Sequence, residues 1–167
     1  MEHEPTWYVV NVADAPTVSH PIAGTWTRFE DPHHPFQQVG VNLRVLGPGQ
    51  PSTMYHAENA EETFLVISGE CLAIIGGQER ELGPWDLLHV SPGVPHTFVG
   101  AGEGPCAILM IGARHPELRS FYPYSPLAAE HGASAAADTE DPAEAYAEWR
   151  DAGFIETELD WPPSTVD

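Results

Sequence analysis

The chain has no lysine. Its six basic side chains are all arginine, against 25 acidic residues, and the net charge is −19 over 167 residues. Without lysine there is no Schiff-base nucleophile and no P-loop lysine for a nucleotide phosphate. Acidity on this scale also argues against a nucleic-acid partner, because displacing counterions from phosphates takes Lys and Arg. Two cysteines, Cys71 and Cys106, are too few for a disulfide framework, and buried thiols are expected over metal ligands. No apolar run approaches the ~20 residues a membrane helix needs. The first residues, MEHEPTWYVV, lack the basic and apolar regions of a signal peptide. These absences describe a soluble, cytoplasmic protein with no membrane partner. An acidic, lysine-free surface suits a salty, halophilic cytoplasm, where screening relieves self-repulsion. GC-rich coding would also supply Ala, Gly and Pro, but it usually raises Arg as well, so the salt reading is favoured.

What is abundant is punctuation. Fifteen glycines and 17 prolines recur at turn-like intervals, and helical periodicity is scarce before residue 140. One all-β domain follows, long enough to bury a core. WYVVNV (7–12) and GTWTRFE (24–30) read as the first strands, and QVGVNLRVL (38–46) alternates with Val39, Val41, Leu43 and Val45 on one face. STMYHAE, TFLVISG, ECLAIIGG, LLHV, HTFV and CAILMIG continue the series, with GGQER as a turn. Such short strands suggest a sandwich or small barrel. The expected organisation is N-terminal strands and loop over 1–37, a barrel core over 38–115 and a C-terminal extension over 116–167. Within the extension, a helix over about 142–152 is capped by Asp141, opened by Pro142, braced by Glu144 and stopped by Gly153. Tyr146 and Trp149 give it an apolar face, to cover the barrel or a partner subunit in a homodimer. Ala133–Ala137 reads as a short linker.

The chemistry concentrates in YHAENAEETFLVISGE, residues 55–70. His56 and Glu58, two apart on a strand, point the same way. Glu62 leads the next strand, whose same-parity residues Phe64 and Val66 face the core. In SPGVPHTF, Pro92, Gly93 and Pro95 make a rigid turn that delivers His96. Two histidines and at least one carboxylate from separate strands can hold a first-row metal ion. The competing reading is half-buried His and Glu with no ion. Glu58 is either a ligand or a rim charge. His89, opposite in face to Leu88 and Val90, reads as solvent- or interface-facing, and His33 and His34 as loop residues. Phe64, Phe98 and Met110 either line a pocket or fill the barrel.

The spacing resembles the two motifs of the cupin superfamily, small β-barrels whose patterns run G-x5-H-x-H-x3/4-E-x6-G and G-D-x4-P-x-G-x2-H-x3-N. His56, Glu62 and Gly69 stand at positions of the first, and Asp86, Gly93 and His96 at positions of the second, across roughly residues 40–112. The run GECLAIIGGQERELGPWDLLHVSPGVPHTFVGAGEGPC is similar to single-domain bacterial cupins of the conserved-barrel (cupin 2) type, from which no particular activity follows. Four departures fall at turn and support positions: Trp85 for glycine, Ser91 for proline, Gly100 for asparagine, and Gly49 one residue early. A fifth, Glu58 for the second histidine, touches the chemistry. The resemblance implies a cupin β-barrel (double-stranded β-helix or jelly roll) holding one divalent ion on His56, Glu62 and His96, with Glu58 either a fourth ligand or a rim charge. Glu58 as a ligand would bring the site from +1 to neutral. At about 4 Å and an effective dielectric near 20 that added charge is worth up to roughly 4 kcal/mol, against zinc-type hydrolysis. Fe(II) or Mn(II) is then favoured, with Zn or Ni able to compete. The expected function is a metal-dependent dioxygenase or related oxidoreductase acting on a small organic molecule. The alternative is a non-catalytic cupin that binds or senses a small ligand.

Overall fold

The computed structural model of the protein describes residues 7–158. Among them the strands are β1 Thr17–His20, β2 Gly24–Arg28, β3 Val39–Leu46, β4 Ala57–Glu58, β5 Glu62–Ser68, β6 Glu70–Ile75, β7 Gln78–Leu82, β8 Leu87–Val90, β9 His96–Ala101, β10 Cys106–Ala113, β11 Ser120–Phe121 and β12 Ile155–Thr157. The α-helices are single turns, α1 Pro126–Ala129 and α2 Pro142–Ala145. Every strand pairing is antiparallel. A seven-stranded sheet runs β12-β1-β2-β3-β10-β5-β8, a three-stranded sheet runs β7-β6-β9, and β11 pairs with β4. The all-β expectation holds.

Two turns show how local sequence sets this order. Gly69, between β5 and β6, has φ +69, and a Cβ there would lie 2.2 Å from the Pro105 carbonyl oxygen, so no larger residue fits. Gly76 and Gly77 both have positive φ, and Ile75 pairs with Gln78. That is a two-residue hairpin whose backbone twist suits the strands it joins. GGQER is therefore turn only at its glycines; its remainder begins β7.

Strand parity builds the core. On β3, β5, β9 and β10 the even-numbered residues turn inward, where Leu46, Phe64, Val66, Phe98, Cys106, Ile108 and Met110 pack against Cys71 and Ala73 of β6. The two sheets thus close on one apolar interior. Fully burying a side chain such as Leu or Phe contributes ~1.5–3 kcal/mol, so this cluster dominates the barrel's stability. Cys71 and Cys106 are free and buried within it, as expected. The valine face of β3 is the outer one: Val39 is exposed, Val41 and Val45 are half-buried, and only Leu43 is fully buried.

The chain after the barrel wraps its outside. Tyr55, Ile74, Val99, Ala128 and Ala133 bury the back of the small sheet, and Met54, Tyr122, Ala135, Ala145 and Trp149 form a third cluster. Ala133 and Ala135 are core residues, which corrects the linker reading: small side chains here allow close packing. The helix expected over about 142–152 is also shorter. Asp141 caps it and Pro142 opens it, but regular helix ends at Ala145, and a 3-10 turn follows at Arg150–Ala152. Tyr146 Oη accepts from the Met54 N–H at 3.2 Å, and Trp149 Nε1 donates to the Gly132 carbonyl at 3.2 Å. These anchors pull the two aromatics onto the barrel and outweigh continuation of the helix. WYVVNV is not a strand. The edge of β1 that it could have used is taken by β12, and Trp7 and Val9 stand exposed. STMYHAE contributes only the two residues of β4.

Candidate metal centre

His56, Glu62 and His96 converge at one end of the barrel, each offering one ligand atom, all within 4.8 Å of one another. Three separate devices bring them there. His56 and His96 form a β-bridge, with His56 N–H donating to the His96 carbonyl at 3.2 Å and the reverse bond at 2.8 Å. The Pro92–Pro95 turn is tied down where Gly93 N–H donates to the Glu58 carbonyl at 2.7 Å. Glu62 opens β5 opposite Gly112 of β10, on the inward parity it shares with Phe64 and Val66.

The histidines have the orientation that a metal ligand needs. His56 Nδ1 lies 2.8 Å from the Met54 carbonyl oxygen, and His96 Nδ1 lies 3.1 Å from that of Val94. A carbonyl can only accept, so each Nδ1 donates, and each Nε2 turns its lone pair into the site. Burial, and next the neighbouring His96, hold the His56 pKa below the usual imidazole range, which favours the neutral form a metal needs. His96 Nε2 then meets Glu62 Oε2 at 3.2 Å. Two acceptors that close repel unless a positive charge lies with them. A divalent cation supplies it, and so would a second proton on His96. Two nitrogens and one carboxylate oxygen fit a first-row divalent ion, whose ligands stand ~3 Å apart at bond lengths of ~2.1 Å.

Glu58 lies outside that group of three. Its Oε1 is 3.9 Å from His56 Nε2 and accepts from Ser120 Oγ at 3.3 Å. Burial, then the charge of Glu62, raise its pKa above the ordinary carboxylate value, and the Ser120 hydrogen bond opposes this. The Tyr122 ring lies tilted against that of His56, with centroids 5.7 Å apart. A cavity of about 270 Å³ opens over these groups. Phe64, Phe98 and Met110, ambiguous in the sequence, both line it and belong to the core. His89 is exposed and bonded to Thr63 at 3.0 Å, away from the site.

Reading the sequence missed Asn42 and Arg44, which also line the cavity. They stand opposite Met110 and Ile108 of β10, on the inward parity of β3. The available signal was the alternation itself, because the polar residues between the valines need not be the solvent face. Ser120 and Tyr122 were missed because they reach the site from beyond the motifs.

A family model described as a cupin domain matches residues 42–112. Comparison with curated proteins finds no match. Among solved structures, a sugar phosphate isomerase of the cupin superfamily from Silicibacter pomeroyi is 22% identical, covering 84% of this chain and 80% of that chain, with a TM-score of 0.55. The polyketide cyclase RemF from Streptomyces resistomycificus is 20% identical over 68% of this chain and 84% of its own, with a TM-score of 0.58. A putative sugar phosphate isomerase from Acidithiobacillus ferrooxidans is 24% identical, and this chain spans 55% of its length from 50% of its own, with a TM-score of 0.48. For the first two the likeness is one of fold, and fold does not carry activity. Residues 42–112, the stretch that matches the cupin-domain family model, also carry the three motif residues that turn into the site.

Proposed function

We propose that this cupin is a metal-dependent dioxygenase or related oxidoreductase acting on a small organic molecule, with His56, Glu62 and His96 holding one divalent ion. The observation that carries the reading is the contact between two inward-facing acceptors, His96 Nε2 and Glu62 Oε2, at 3.2 Å beneath a cavity. An ion in a two-histidine, one-carboxylate set keeps open positions and supplies redox chemistry, for which Fe(II) or Mn(II) is suited. Glu58, held by Ser120 outside the set of three, accepts a proton from the substrate. Phe64, Phe98 and Met110 exclude water from the reacting end. Glu58 in this position does not neutralise the ion directly, so its charge does not argue against zinc-type hydrolysis, which a two-histidine, one-carboxylate site also supports.

The test begins with elemental analysis of protein purified without chelator or nickel resin. The expected result is one divalent ion per chain, lost in His96→Ala with the circular dichroism unchanged. Glu58→Gln should keep the metal; loss of metal would make Glu58 a ligand. Oxygen uptake with a panel of small organic substrates then separates oxidoreductase from a binding cupin, which would take up ligand without consuming oxygen. Assembly as a homodimer is part of the same proposal. Tyr146 and Trp149 are spent on the chain's own barrel, but Trp7 and Val9 remain exposed. Light scattering reads the mass.

A further inference from the structure

A second cavity, of about 470 Å³, shares Arg44, Ser52 and Thr53 with the metal chamber. Its other walls are largely aromatic, with Trp26, Tyr146, Trp149, Phe154 and His20 among them. Arg44 sits at the partition. Its guanidinium carbon lies 4.4 Å from the centroid of the Trp26 ring, and Nη1 reaches the Ala23 carbonyl at a long 3.4 Å. Nε is buried without a hydrogen-bond partner, and so is the Asn42 side-chain oxygen on the same inner face of β3. No carboxylate pairs with Arg44 among the described residues. Arg114, the other arginine at the metal chamber, is clamped by Glu30 through both Nη atoms.

The contrast is chemical. With 25 acidic residues in the chain, carboxylates are not scarce, yet among the described residues none forms an ion pair with the arginine between the cavities. Burial lowers the Arg44 pKa to about 10, which still leaves it charged at neutral pH. Stacking on Trp26 stabilises a cation but offers no acceptor for its N–H groups. A half-buried cation with one long hydrogen bond and an unpaired Nε is costly, and an anionic ligand removes that cost. A guanidinium fork matches a carboxylate bidentately. The aromatic walls offer an apolar body area to pack on and few partners for sugar hydroxyls.

We propose that Arg44 receives the carboxylate of an aromatic acid, whose ring lies in the second cavity and whose carboxylate end borders the metal chamber. The placement relative to the metal rests on the function proposed above; the binding itself does not. Isothermal titration of the purified protein with 3-phenylpropionate, 3-phenylpropanamide, acetate and glucose 6-phosphate tests it. The acid should bind at least tenfold more tightly than each of the other three. Arg44→Gln should abolish the preference of acid over amide while metal content stays unchanged, and Arg44→Lys should retain part of it. Equal binding of acid and amide, binding of neither, or tighter binding of glucose 6-phosphate would overturn the proposal. Acetate equal to the acid would remove the aromatic cavity from it. If Arg44→Gln fails to fold, the wild-type series decides alone. Acid preference in a protein that holds no metal would sink the metal reading and leave this one standing; metal without acid preference would do the reverse.

Discussion

The two ends of the barrel interior are built from the same strands at the same parity, yet they differ completely in chemistry. At one end β3 offers Leu46, β5 Val66, β10 Cys106 and Ile108, and β6 Cys71 and Ala73, all almost fully buried. At the other end β3 turns in Asn42, β5 Glu62 and β9 His96 around a cavity, with Arg44, opposite Ile108, at the border between the two. The apolar end has no polar group to satisfy and holds the sheets together. The polar end carries buried imidazoles and carboxylates that stabilise little without an ion, and that are costly where unpaired. Concentrating the cost at one end lets the other compensate for it. Stability and chemistry are thereby separated along each strand.

The largest expected effect breaks the apolar end. Leu46→Ala removes a fully buried side chain and should cost ~2–5 kcal/mol by denaturant unfolding, while the surviving folded protein keeps its metal. Loss of metal in that variant would mean the two ends are not independent. Next comes the polar end: stripping the ion with a chelator should lower the melting temperature of the wild type and not that of His96→Ala. An ion present at a hundred times its dissociation constant stabilises by about 2.7 kcal/mol through linkage.

A smaller effect concerns the turn before β8. Trp85 has φ 73, the left-handed region that glycine adopts without cost, and it occupies the position where the cupin motif has glycine. Its N–H donates to the Val66 carbonyl at 2.8 Å, so the turn closes the apolar end. Trp85→Gly should stabilise the fold by about 1 kcal/mol, since relieving a left-handed L-residue is worth roughly 1–2 kcal/mol and glycine's extra chain entropy offsets part of it. A drop in stability would show that the exposed indole has a contact of its own.

The smallest effect is at the rim of the polar end. The hydrogen bond and charge of Arg114 hold the Glu30 pKa below its ordinary value. A depressed folded-state pKa means the pair stabilises above the usual carboxylate range and loses that contribution as pH falls through the folded value. The pair is partly exposed, so Glu30→Gln should cost less than about 1 kcal/mol at neutral pH and nothing in acid. Potassium chloride should shrink this difference. It should also raise overall stability, because the Debye length falls from about 30 Å at 0.01 M to 3 Å at 1 M and screens the acidic surface. A melting temperature flat across that range would return the acidity to genome composition.

The sequence by itself determined the strands whose alternation or turns are local: β2, β3, β5, β6, β8, β9 and β10 all lie where their residues place them. It also determined three converging site residues, because His56, Glu62 and His96 carry a spacing that a barrel turns into proximity. Tertiary structure decided what depends on a partner far along the chain. Periodicity marks the two faces of β3 but not which one is inward; that was settled when β10 paired with it and brought Met110 and Ile108 opposite Asn42 and Arg44. The edge of β1 went to Ile155–Thr157 instead of Trp7–Val12, since edge pairing depends on which segment reaches it. Ala133 and Ala135 became core because small residues permit close approach, which composition reads as a linker. Helix α2 stopped at Ala145 because Met54 and Gly132, far apart in sequence, hold Tyr146 and Trp149. Local patterns encode dihedral preferences and face periodicity; burial and partner choice belong to the assembled chain.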